Sequence, residues 1–177
     1  MSERRIYLVR HGIAEDVADS GRDRDRALTA EGRERLRREA AGLRRIGARA
    51  DLLATSPLRR ARETADLLGA GFPGARLEVW RELAPGVDEH LLCARLEEGD
   101  ADAGVVLVGH EPDLGEILAY LLTGARGSFE TRFRRGAVAC LQAPSRRLPG
   151  RAVLEWMITA RQLEAAAEGT PGASPAE

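Results

Sequence analysis

GVVLVGHEPDLGEILAYLL, residues 104 to 122, opens with four aliphatic residues between two glycines and continues as a different pattern. The first part, Gly104 to Gly109, is too short for a buried helix and reads as a strand covered on both faces. After it, His110-Glu111-Pro112 opens a helix in which Leu114, Ile117, Leu118, Leu121 and Leu122 fall on one side. A buried strand followed at once by an amphipathic helix is half of a βαβ unit, so the rest of the chain should repeat it.

It does. Arg5 to Val9 is a short apolar strand. After a polar loop over residues 13 to 28, Thr29 caps a helix whose Leu36, Ala40 and Leu43 make one stripe, ending near Ile46 and Gly47. Asp51 to Thr55 is a second strand. Ser56 as N-cap and Pro57 at the first helical position start the next helix, with Ala61, Ala65 and Leu68 inward until Gly69. Arg76 to Trp80 is a third strand and Glu89 to Leu96 a helix; Gly136 to Gln142 and Ala152 to Thr159 are two further strands joined by a turn-rich connection. The order βαβαβαβα followed by ββ predicts an α/β fold, a three-layer α/β/α sandwich on a mostly parallel central sheet. Residues 1 to 164 form one domain in this reading. AAAEGTPGASPAE, residues 165 to 177, has no stripe and reads as a disordered tail.

Composition excludes several classes. A net charge of -1 gives no footprint for nucleic acid, and no apolar run approaches a membrane span. MSERR leads directly into the first strand without a signal-like segment, which makes a cytoplasmic protein the expectation. All 27 basic residues are arginine, so their number is a bias of composition and only their positions inform. Cys93 and Cys140 do not make a disulfide framework.

Open parallel sheets bind ligands beyond the carboxyl ends of their strands. There the unusual residues fall: Arg10 and His11 after the first strand, Arg60 in the first turn after the second, Glu82 after the third and His110 after the fourth. Two arginines and two helix starts suit a phosphate dianion. A neutral imidazole among them can attack phosphorus, a second can stabilise the transferring oxygens, and a carboxyl group can protonate the leaving atom. Gly12 would let the ligand approach the backbone.

In this order LVRHGIAE, RALTAEG, SPLRRARETA, ELAP and VLVGHEPDLG resemble the successive signatures of the histidine phosphatase superfamily, which includes phosphoglycerate mutases and acid phosphatases. The resemblance covers residues 5 to 163 and is greatest to the SixA-type phosphohistidine phosphatases, through VGHEPDLG and the LEWM segment. It implies a phosphoglycerate mutase-like fold, with His11 as the phosphorylated nucleophile and Arg10, Arg60 and His110 around the phosphate, where Gly12 is expected to lie as well. The family's pocket arginine stands just before an alanine, which selects Arg60 over Arg59 or Arg62. Glu82 occupies the place of the proton donor in many members. No metal and no cofactor are implied.

Only 22 positions separate Arg60 from Glu82 and 28 separate Glu82 from His110, which leaves little room for a roof over the site. An open site suits a phosphohistidine carried on a signalling or phosphotransfer protein. A phosphatase of sugar or nucleotide phosphates, or a phosphate-binding module without catalysis, are the alternatives. Cys140 and Arg146 also fit the C-x5-R pattern of cysteine phosphatases. That loop needs its amides and a following helix, whereas Pro144 lacks an N–H and the chain beyond it reads as a turn and a strand.

Overall fold

The computed structural model describes residues 3–86, 88–99 and 104–169. Its strands are β1 (Glu3–Arg10), β2 (Leu52–Thr55), β3 (Arg76–Val79), β4 (Val105–Gly109), β5 (Val138–Pro144) and β6 (Val153–Ile158). Its helices are α1 (Ala30–Arg45), α2 (Arg59–Leu68), α3 (Glu89–Glu98), α4 (Asp113–Thr123) and α5 (Ala160–Glu168). The strands form one sheet in the order β3-β2-β4-β1-β5-β6. β3, β2, β4 and β1 run parallel, and β5 pairs antiparallel with both β1 and β6.

Alternation along the central strands divides the core in two. Ile6, Leu8 and Leu107 pack on one face with Leu92 and Leu96 of α3 and Leu114, Leu118 and Leu121 of α4. Tyr7, Val9, Val106 and Val108 point the other way, to Leu36 and Leu43 of α1, Ala61, Ala65 and Leu68 of α2 and Leu163 of α5. The central stretches Ile6–Val9 and Val105–Val108 are thus apolar because both faces are covered, which is the three-layer α/β/α arrangement.

Most elements start or end one to three residues away from the sequence reading, and two differences bear on the site and the packing. α2 begins at Arg59 with Leu58 at its cap, not at Ser56 and Pro57. Ser56 Oγ accepts from the Leu58 N–H at 3.3 Å and also meets the ring of His110.

The second concerns α5, the last of the described helices, which carries residues 165 to 168 of the expected tail; residues 170 to 177 lie outside those described. Thr159 and Gln162 close a capping box at its start, Leu163 is fully buried, and Glu164 receives Arg35 at 2.8 Å and Arg38 at 3.0 Å from α1. The approach of the two helices is so close that a Cβ on Gly42 would stand 2.1 Å from the Leu163 carbonyl oxygen. Gly42→Ala is therefore expected to lower unfolding free energy by about 1–3 kcal/mol through overpacking, measured as a shift of the urea midpoint at unchanged m.

Candidate active site

Three parallel strands end together, and their register decides which side chains meet beyond them. Arg10 pairs with Gly109 and Thr55 with Val108, so His11, His110 and Ser56 emerge side by side. The His11 N–H donates to the Gly109 carbonyl at 3.2 Å and the Ser56 N–H to the Val108 carbonyl at 3.0 Å, which carries the sheet one step into the site.

His11 is 8% exposed, and its two ring nitrogens have different partners. Nδ1 lies 2.8 Å from the Gly12 carbonyl oxygen, which can only accept, so Nδ1 carries the proton. Nε2 then holds a lone pair. Arg60 Nε, which can only donate, points at that atom from 3.2 Å and imposes the same tautomer independently. Burial, with the charges of Arg60, Arg10 and Arg135, pushes the His11 pKa down to about 4 despite the Gly12 bond, so the ring is neutral at pH 7.

His110 stacks obliquely on His11, with ring centroids 5.1 Å apart. Its Nε2 is 2.8 Å from Ser56 Oγ, while Nδ1 is buried with no partner among the described residues. Burial first, then His11 and Arg60, hold its pKa down at about 3. Arg10 donates from Nη1 to the Phe133 carbonyl at 2.6 Å and keeps a buried Nε that has no partner among the described residues. The structure thus brings Arg10, His11, Arg60 and His110 into one cluster.

Glu82 lies half-buried on the short 3-10 turn Arg81–Leu83, at the same end of the sheet because the Trp80 N–H donates to Thr55. It forms no hydrogen bond or ion pair with the four among the described residues. Gly12 departs from its expected reason. Its N–H is committed to Thr64 Oγ1 at 3.1 Å, and a Cβ there would meet Leu36 at 2.7 Å. The missing side chain makes room for α1 in the core rather than for a ligand.

Two charged residues join the cluster that the sequence does not single out. Asp23 receives Arg60 Nη1 on its carbonyl oxygen at 2.9 Å and Nη2 on Oδ2 at 3.1 Å. Hydrogen bonding from Arg26 first, then the Arg60 charge, keeps the Asp23 carboxyl below its usual range, hence ionised. Arg135, in the loop before β5, adds positive potential at His11. Both sit in arginine-rich loop sequence, where a chemically engaged charge looks like any solvated one.

The sequence profile of the histidine phosphatase superfamily (branch 1) matches residues 6–103. An uncharacterised protein of Picosynechococcus sp. is 43% identical over 124 residues, 69% of this chain and 75% of its own length. The protein histidine phosphatase SixA, solved with tungstate, superposes with a TM-score of 0.77 at 27% identity, over 90% of this chain and 99% of that one. A mycobacterial glucosyl-3-phosphoglycerate phosphatase shares the fold at a TM-score of 0.65 and 21% identity, over 86% of this chain and 97% of that one. With the profile spanning more than half of the sequence and the SixA fold nine-tenths of it, this chain belongs to the histidine phosphatase superfamily and is a phosphatase.

Proposed function

We propose that this phosphatase hydrolyses phosphohistidine on a partner protein through a covalent intermediate on His11. The mechanism rests on the His11 ring itself, neutral and fixed, with the Nε2 lone pair facing Arg60. Nε2 attacks phosphorus and the bond to the leaving group breaks. A substrate imidazole protonated on its other nitrogen leaves as the neutral ring, so it needs no acid. Water then attacks phosphorus, the Nε2–P bond returns its electron pair to His11, and inorganic phosphate is released with the proton of the attacking water. Arg10, Arg60 and the free Nδ1 of His110 stabilise the phosphoryl oxygens. Glu82 protonates the leaving oxygen where the substrate is an ester.

Support for a protein substrate comes from the chain between α2 and α3, which holds only short 3-10 turns and β3, with no helical roof among the described residues. The likeness to a protein histidine phosphatase points the same way. Phosphate release from a histidine-phosphorylated carrier, run beside p-nitrophenyl phosphate and sugar phosphates, tests the assignment. A large preference for the carrier is expected; the reverse preference assigns the site to a small phosphomonoester, and silence on all of them leaves a binding module.

The lowered His11 pKa sets the acid limb. A ring with its ordinary value near 6.5 would lose its lone pair below that pH, whereas one at about 4 keeps it. After correction for ionisation of the substrate, kcat/KM is expected to hold from pH 7 to pH 5 and to fall only toward pH 4. Loss centred at pH 6.5 would contradict the burial argument.

Asp23 competes with substrate, since its carboxylate occupies the Nη2 of Arg60 that a phosphoryl oxygen would take. Its side chain is 61% exposed, so the pair is weak and screened. Asp23→Asn is expected to lower KM, and the inhibition constant for inorganic phosphate, by about 2–5-fold with little change in kcat. Steady-state kinetics with phosphate as product inhibitor measures both.

A further inference from the structure

The Arg10 guanidinium enters the catalytic cluster with one end tied to the Phe133 carbonyl, which accepts from Nη1 at 2.6 Å. Phe133 belongs to Glu130–Arg134, a stretch outside any helix or strand, so regular secondary structure does not fix where this carbonyl points. Two other contacts do. The Phe133 ring is only 1% exposed and lies in the same core cluster as Leu107 and Leu114. The Phe133 N–H donates at 2.6 Å to Glu111 Oε1. A buried ring anchors a residue but lets its backbone turn about the anchor, whereas a charge-assisted bond to the N–H also fixes direction.

Glu111 directly follows His110 and stands two residues before α4, so one carboxylate links this loop to the segment that carries the second histidine. α4 is bare where they meet. A Cβ on Gly115 would stand 3.3 Å from Thr131 Oγ1 and 3.6 Å from Glu111 Oε2. At the other end of the loop the Gly136 N–H donates to the Arg10 carbonyl and the Arg10 N–H to the Ala137 carbonyl, both at 3.1 Å. The sheet therefore holds the backbone of Arg10, while Phe133 holds its guanidinium. Burial raises the Glu111 pKa, and the Phe133 N–H and the Arg10 charge act against it. Hydrogen bonding and charge thus run along the same path from Glu111 to Arg10.

We propose that Glu111 is a positioning residue for the phosphatase reaction: through the backbone of Phe133 it holds the Arg10 guanidinium in place before a phosphoryl group arrives. This role rests on Arg10 acting on the phosphoryl oxygens. What Glu111 contributes is an acceptor oxygen at a fixed place, and its negative charge is not required.

Inorganic phosphate is the probe, so the result does not depend on which phosphorylated substrate the enzyme takes. Arg10→Ala is expected to weaken phosphate binding by about 10–100-fold, the scale of charge-assisted hydrogen bonds. Glu111→Met keeps the length of the stem and removes the acceptor; it is expected to weaken phosphate binding by about 5–10-fold, as loosened Arg10 donors would. Charge alone predicts the opposite sign, because a carboxylate near an anion site repels the anion and its removal should tighten binding. In the Arg10→Ala background Glu111→Met is expected to change the affinity by less than about 2-fold, since the group it positions is gone. Glu111→Gln retains an oxygen for the Phe133 N–H and is expected to bind phosphate at least as tightly as wild type. In wild type without phosphate the Arg10 Nε–H resonance is expected to be sharp, a readout that needs no variant. Unchanged or tighter binding in Glu111→Met, an equal loss in the Arg10→Ala background, a loss in Glu111→Gln matching that in Glu111→Met, or an Nε–H signal averaged by free rotation would each overturn the role of Glu111 while leaving Arg10 in the pocket. Wild-type phosphate affinity in Arg10→Ala would remove Arg10 from the pocket and the role of Glu111 with it.

Discussion

Replacing His11 with alanine is expected to bring kcat down by at least about 10³-fold while the chain remains folded. Among the described residues no other nitrogen is prepared to replace it. His110 offers a free Nδ1, but its ring is oriented by Ser56 on the opposite side, and its role is to meet phosphoryl oxygens. Removal of the ring leaves the Gly12–Thr64 bond and the β1–β4 pairing in place, so the loss should be chemical. Kinetics on a histidine-phosphorylated carrier, with circular dichroism as the check on folding, separates the two. Turnover within an order of magnitude of wild type would remove His11 from the mechanism.

Arg60 should be nearly as costly. Its guanidinium holds three positions at once: Nε on His11, Nη1 and Nη2 toward the loop that carries Asp23. Arg60→Ala is expected to reduce kcat/KM by about 10²–10³-fold, the scale for losing a donor aimed at transition-state charge. Arg60→Lys should recover little, because a single ammonium cannot orient Nε2 and meet a phosphoryl oxygen together. A second signature follows from charge. Arg60 is one of the cations that depress both histidines, so its removal should raise their pKa values and move the acid limb of kcat/KM to higher pH. A structural role alone would leave that limb in place.

Much of this architecture is legible in residues 5 to 159 because burial on both faces writes itself into composition. Val105 to Val108 have apolar neighbours above and below, and no polar residue is tolerated there. Arg10, His11, Arg60 and His110 are legible for the opposite reason, being polar residues at the ends of such runs. α5 is not. Its buried face is only Ala160 and Leu163, and its closeness to α1 depends on Gly42, far away in sequence. The local sequence of Ser56 favours a helix cap, but the bond to His110 Nε2 is a contact between strand ends that no local pattern encodes. Asp23 is hidden inside GRDRDRA, where alternating charges look solvated, and only the fold brings that loop onto Arg60. Gly12 is legible as necessary, though for packing against Leu36 instead of ligand access.

A phosphoryl group on His11 is the intermediate on which the mechanism depends, and it can be observed directly. The protein is mixed briefly with a carrier labelled on its phosphohistidine, quenched in alkali to preserve phosphoramidates, digested and sequenced by mass spectrometry. Label is expected on the peptide containing His11, disappearing on a chase with unlabelled substrate and never forming in His11→Ala. Phosphate released at full rate with no labelled His11 at any quench time would contradict the covalent mechanism, and would mean that water attacks the substrate in a single step.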